Sequence, residues 1–170
     1  MFLVLISVAI INVNKMVTDK DTSFYEKKAI EQAGSLATSL LDEISKKKFD
    51  STVDTNYTGY VSSSTFDAPA SMGASAAALA YVNPGGASDS YTPFRSITNA
   101  YFDDVDDYDG YVRTATSGGL PGFRLWVSVY YVNASSVTSG VRTYYKKVDV
   151  NVSNTIYMAD TLTFSTVVTY

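Results

Sequence analysis

The densest group of reactive side chains is a run of five aspartates, Asp103, Asp104, Asp106, Asp107 and Asp109, ending on Gly110. Carboxylates at such close spacing supply the hard oxygen ligands that Ca²⁺ prefers. The run is not an EF-hand, because Val105 stands at the first ligand position of the frame ending Asp109-Gly110. The other reading is an exposed turn whose aspartates accept hydrogen bonds from nearby backbone N–H groups. Ca²⁺ is therefore the one candidate cofactor, and otherwise none is expected. Cysteine and histidine are both absent, which removes disulfides, thiolate nucleophiles, imidazole bases and nearly every zinc site. An enzyme would have to work with carboxylates, hydroxyls or lysines, and no G-x-S-x-G nucleophile frame occurs. The expectation is a protein without catalytic residues.

Two further groups could carry chemistry of a milder kind. Three sequons, at Asn56, Asn133 and Asn151, offer acceptors for N-linked sugar, with Asn133 expected in a hairpin loop and Asn151 at a strand end. Trp126, Tyr130 and Tyr145 could form a carbohydrate-binding face, although such residues more often pair across strands of a sheet. The formal net charge of −4 and the pI near 4.7 argue against nucleic acid as a partner. The basic cluster Lys46, Lys47 and Lys48 sits where a helix should end and suits the negative pole of its dipole.

The elements that position these groups are legible from periodicity. At 170 residues and 46% hydrophobic content the chain can bury a real core. Its front end, Met1–Val13, is polar only at Ser7 and Asn12. A helix of that length covers about 20 Å at a rise of about 1.5 Å per residue, short of the roughly 30 Å hydrocarbon core of a bilayer. It lacks the basic region and cleavage site of a secretory signal. Packing against like helices suits it better than a lone membrane anchor.

Between Val17 and Ser23 the helix either runs through at some cost or breaks, with Thr22 or Ser23 capping a second helix. Farther on, Ile30, Ala33, Ala37, Leu40, Leu41 and Ile44 recur at three- and four-residue steps, and Phe49 closes the stripe. Asp42–Lys46 and Glu43–Lys47 are spaced as i, i+4 pairs with the acid leading. The segment from Asp50 to Gly119 is punctuated by Gly, Pro and Ser and reads as irregular. Short strands could form near Tyr57–Val61 and Ala78–Val82, or a helical turn at Ala74–Ala80. Phe123–Val132, Arg142–Val152 and Thr161–Thr169 then alternate apolar and polar residues. They predict an antiparallel meander with one buried face, covered by the helical stripe. The expected fold is α+β: a helix over residues 1–50 and a β-rich head over residues 51–170.

The apolar helix, the A-x-x-L-A-x-x-L-L-D-E-I-x-x-x-x-F-D stretch ending at Asp50, the Phe102–Tyr111 run and the terminal meander together resemble the bacterial type IV pilins and pseudopilins. The similarity is to proteins of the MSHA-pilus type, minor subunits included. It implies a subunit of an extracellular, cell-surface filament of the adhesion or motility kind. Met1, Phe2, Leu3, Val4, Leu5, Ile6, Val8, Ile10, Ile11 and Val13 would polymerise identical chains after passage through the inner membrane and its assembly machinery. The resemblance also implies a leader removed before the apolar helix, so the numbering already fits a mature chain. It further implies a glutamate at the fifth mature position, where Leu5 stands. Either Met1 is not the mature first residue, or neighbouring subunits align without that charge. The alternatives to a repeating subunit are a minor, tip-located pseudopilin and a membrane-tethered domain that binds carbohydrate.

Overall fold

The computed structural model describes residues 2–52, 61–73 and 102–170, with helix side chains described from Ser23 onward. Helix α1 spans Phe2–Ser45, 44 residues without a break, or about 66 Å of axis at the usual rise. No second cap forms at Thr22 or Ser23. Thr18, Asp19, Asp21 and Thr22 each cost a helix only some tenths of a kcal/mol relative to alanine (up to about 0.7), whereas a break would require a new nucleus. No helix among the described residues is long and apolar enough to cross a membrane.

The buried stripe of α1 is Ala29, Ala33, Ala37, Leu40 and Ile44, with Leu36 and Leu41 half-buried beside it. Ile30, expected in that stripe, is 45% exposed. Steps of four from Ala29 and of three from Ile30 both reach Ala33, so periodicity alone could not choose between them. The sheet takes the small side chain, and the bulkier isoleucine turns aside. Alanine and glycine let the helix sit close. A Cβ placed on Gly34 would lie 3.7 Å from the Phe164 ring. Of the two expected i, i+4 pairs, Lys46–Asp42 closes at 2.6 Å, while Glu43 accepts a hydrogen bond from Tyr108 Oη at 3.0 Å.

Among the described residues four strands form one antiparallel sheet in the order β1-β2-β3-β4. They are Val112–Ser117, Leu120–Tyr131, Tyr145–Asn154 and Leu162–Thr169. Strand β1 lies in a region expected to be irregular. Gly118 and Gly119, with φ of 58° and 78°, join it to β2 in a two-residue turn, the geometry that glycine pairs favour in hairpins. Phe123, Leu125, Val127 and Val129 of β2 and Val148, Val150 and Val152 of β3 face the helix and are buried. On the edge strand, Leu162, Phe164 and Val168 are only half-buried.

The second run begins at Tyr145, later than the expected Arg142, and continues to Asn154. Tyr144, just ahead of the strand, packs in an aromatic group with Phe66 and Tyr170, at ring distances of 5.6 and 6.3 Å. The short elements considered at Tyr57–Val61, Ala74–Ala80 and Ala78–Val82 lie outside the described residues, apart from Val61.

Candidate functional site

Helix α1 ends where Ser45 donates its hydroxyl to the Leu41 carbonyl at 2.7 Å. The three lysines that follow lie beyond the last turn. Lys48 then pairs with Asp104 in a short parallel bridge, and Val105 N–H donates to the Lys48 carbonyl at 2.9 Å. That bridge lays Phe49-Asp50 beside the aspartate run. Lys146 reaches the same place from β3, on the inward face two residues before Val148.

The Lys146 ammonium spends its three protons on the Phe49 carbonyl at 2.6 Å, Asp106 Oδ1 at 2.6 Å and Asp50 Oδ2 at 3.3 Å. The lysine and Asp50 side chains are 0% exposed and that of Asp106 is 4% exposed. The Phe49 ring lies 4.5 Å from Nζ and the Tyr131 ring 5.4 Å from it. Around this ion group an aromatic wall closes, with Phe49 and Phe66 at 5.0 Å and Phe66 and Tyr170 at 5.4 Å.

The carboxylates are held in unequal states. Burial pushes Asp50 up, but the Thr52 hydroxyl, the Asp67 and Thr52 N–H groups and the Lys146 charge outweigh it and hold the group below the usual carboxylate range. Asp106 goes the other way. Burial and the neighbouring Asp104 overcome the pull of Lys146 and push it up to about 8. Burial, with the charge of Asp104, likewise pushes Asp107 up to about 6. Asp67 is raised by its burial and by Asp50. Desolvation and the nearby aspartates also push the Tyr131 hydroxyl up, and this hydroxyl donates to the Asp67 carbonyl at 2.9 Å.

The five aspartates do not converge on one point, because three of them are drawn to different parts of the fold. Asp106 faces Lys146. Asp109 turns to the sheet and accepts from Val129 N–H at 2.8 Å. Asp107 accepts from Asp103 N–H at 2.9 Å, and Asp104 accepts from Asp107 N–H at 3.1 Å and Ser51 N–H at 2.5 Å. The backbone-turn reading therefore describes much of the run. Among the described residues two groups of three carboxylates, each with its oxygens within 4.8 Å of one another, could still hold a metal ion: Asp103, Asp104 and Asp107, and Asp50, Asp67 and Asp104.

On the outward face of the sheet the expected aromatics have different neighbours. Tyr130 donates to Asp149 Oδ2 at 2.7 Å, and its cross-strand partner Lys147 lies 5.7 Å from its ring. Tyr145 opens β3 opposite Thr169. Trp126 lines a shallow depression of about 490 Å³ with Arg124, Ser128 and Asp109. Asn133 is exposed in the β2–β3 connection, and its side-chain Oδ1 accepts from Ser135 and Val137 N–H. Asn151 lies within β3 rather than at its end, and it accepts from the Thr163 hydroxyl at 2.7 Å. Asn56 lies outside the described residues.

Sequence reading missed Lys146 and Asp67 and saw Asp50 only as a helix exit. The available signal was a lysine at position 146 in step with Val148, Val150 and Val152. It also missed a serine–lysine spacing at Ser45–Lys48, in which the serine hydroxyl is engaged by Leu41. Comparison with protein-family models, with curated proteins and with solved structures finds no match to this chain.

Proposed function

We propose that this chain is the structural subunit of an extracellular, helical filament of the type IV pilus kind. The observation that supports this reading most directly is the division of labour along α1. Among the helix side chains described, from Ser23 onward, the stripe buried against the sheet begins at Ala29. Val13 lies about 24 Å farther along the axis at the usual helical rise. The apolar residues Met1–Val13 are then the surface for neighbouring copies. Burying large aliphatic side chains stabilises an assembly by roughly 1.5–3 kcal/mol each before ordering costs. Contacts between identical units that do not close produce a fibre rather than a ring. The partners are identical subunits, met after transit through the inner membrane and its assembly machinery. The chain acts without catalysis, and Ca²⁺ at Asp103, Asp104 and Asp107 is an accessory whose removal with EDTA should lower the melting temperature.

Electron microscopy of sheared cell-surface material, with mass spectrometry to identify the chain, tests this reading. Fibres dominated by this protein support it. Deleting Met1–Val13 should abolish them and release a folded head. Fibres that persist after the deletion refute the helical mechanism. Chain that stays with the membrane, forms no fibre and binds sugar at the Trp126 depression points to a tethered binding domain instead.

A further inference from the structure

We propose that Lys146 and Asp106 condense into an intramolecular amide cross-link, with Asp50 carrying the protons. Nζ lies 2.6 Å from Asp106 Oδ1, one covalent bond from the carbon it would attack, and 3.3 Å from a second carboxylate, Asp50 Oδ2. Reacting groups held at this range have already lost the orientational freedom that opposes a bimolecular step. All three side chains are removed from solvent, and the rings of Phe49 and Tyr131 flank the nitrogen. In water an ammonium and a carboxylate stay ionised because both are hydrated. Here that hydration is gone, and exchanging two buried charges for one neutral amide removes a desolvation cost.

The step balances without an oxidant or a cofactor. Asp50 takes a proton from the ammonium and passes it to the Asp106 carboxylate. The free amine forms a C–N bond to Asp106 Cγ. Asp50 takes a second proton from nitrogen and delivers it to the hydroxyl, and the C–O bond breaks to release water. One ammonium and one carboxylate become one amide and one water, and Asp50 is regenerated as a carboxylate. It does not depend on Lys146 afterwards, because it keeps the Thr52 hydroxyl and the Thr52 and Asp67 N–H groups as donors. The product ties β3 to the turn ahead of β1 across 40 residues of chain. In a chain without cysteine, this is the covalent brace that a disulfide supplies elsewhere, and it holds whether or not the chain forms filaments.

Tryptic mapping of the denatured full-length chain by mass spectrometry tests it. The expected product is peptide Thr143–Lys147 joined to Ser96–Arg113, one water lighter than their sum, with fragmentation placing the bond at Lys146 and Asp106. Free Ser96–Arg113 at its sequence mass, with complete cleavage after Lys146, overturns the proposal. A bond from Lys146 into Phe49–Arg95 overturns the assignment of Asp106. Asp50→Asn should leave the joined peptide reduced at least tenfold, and a fully linked Asp50→Asn chain removes Asp50 from the reaction. The wild-type map decides the bond itself even if that variant does not fold.

Discussion

Replacing Lys146 with methionine keeps most of the side-chain volume and deletes the ammonium. Three hydrogen bonds go with it, two of them to carboxylates that are 0% and 4% exposed. Removing one partner from a buried ion group typically costs about 3–5 kcal/mol, because the remaining charge has no water to return to. For a domain of this size that corresponds to a fall of roughly 6–20 °C in melting temperature. Any covalent bond made by Lys146 adds to the loss, so this range is a floor. Lys147→Met is the matched control. That lysine pairs with Asp149 at 3.1 Å with side chains 28% and 15% exposed, and such a pair contributes below about 1 kcal/mol. The Lys146→Met deficit should also grow between pH 5 and pH 8. Burial already raises Asp106 to about 8 beside Lys146, and losing the ammonium removes the charge that opposes this rise. Asp106 therefore holds its proton still more tightly in the folded state, while Asp50 keeps its Thr52 and Asp67 donors. The native protein then binds more protons than the unfolded chain, and stability falls as pH rises. Adding Asp106→Asn to Lys146→Met should recover part of the loss. Thermal melts by near-ultraviolet circular dichroism of the three variants measure all of this. If the Lys146 and Lys147 variants melt together at both pH values, the buried-charge reasoning is wrong.

Other perturbations should separate local causes. Asp107, pushed up to about 6 by burial and Asp104, binds a proton in the folded state that the unfolded chain has already lost. Stability should therefore fall as pH rises from about 4 to 6, by up to about 3 kcal/mol and by roughly half that once solvent screening is counted. Asp107→Asn should flatten that slope in melts run with EDTA. Gly34→Ala should raise the melting temperature, since alanine gains about 0.5–1 kcal/mol over glycine in a helix and its Cβ would make ordinary contact with Phe164 at 3.7 Å. A lowered melting temperature would show that the helix already sits as close to the sheet as it can. Gly118→Ala and Gly119→Ala both strain a left-handed φ, at about 1–2 kcal/mol. Gly118→Ala should cost more, because its Cβ would meet the Gln32 side chain at 2.8 Å, and urea unfolding of the pair measures the difference.

Local periodicity was enough for much of the architecture. The alternation of Phe123, Leu125, Val127 and Val129 marks a half-buried strand without reference to any partner. The helical stripe through Ala33, Ala37, Leu40 and Ile44 is equally explicit. Strand β1 was legible only in its turn: Gly118-Gly119 is a hairpin signal, but Val112–Ser117 is too short and too polar to announce itself. Ile30 failed because two overlapping helical rows fit the same letters, and only the close packing of Ala29 and Gly34 on the sheet decides between them.

The ion group lies at the other extreme. Asp50, Asp106 and Lys146 are separated by up to 96 residues, and each looks ordinary beside its sequence neighbours. An aspartate ends a helix, another sits in an acidic run, and a lysine starts a strand. Sequence by itself determined the helix, the meander, the buried face and the absence of thiol and imidazole chemistry, because each follows from residue type and short-range spacing. Only the tertiary structure decided which aspartates meet the lysine and which turn to the backbone. Their charge states depend on desolvation and on neighbours, and both are set by contacts between segments that the order of residues does not reveal.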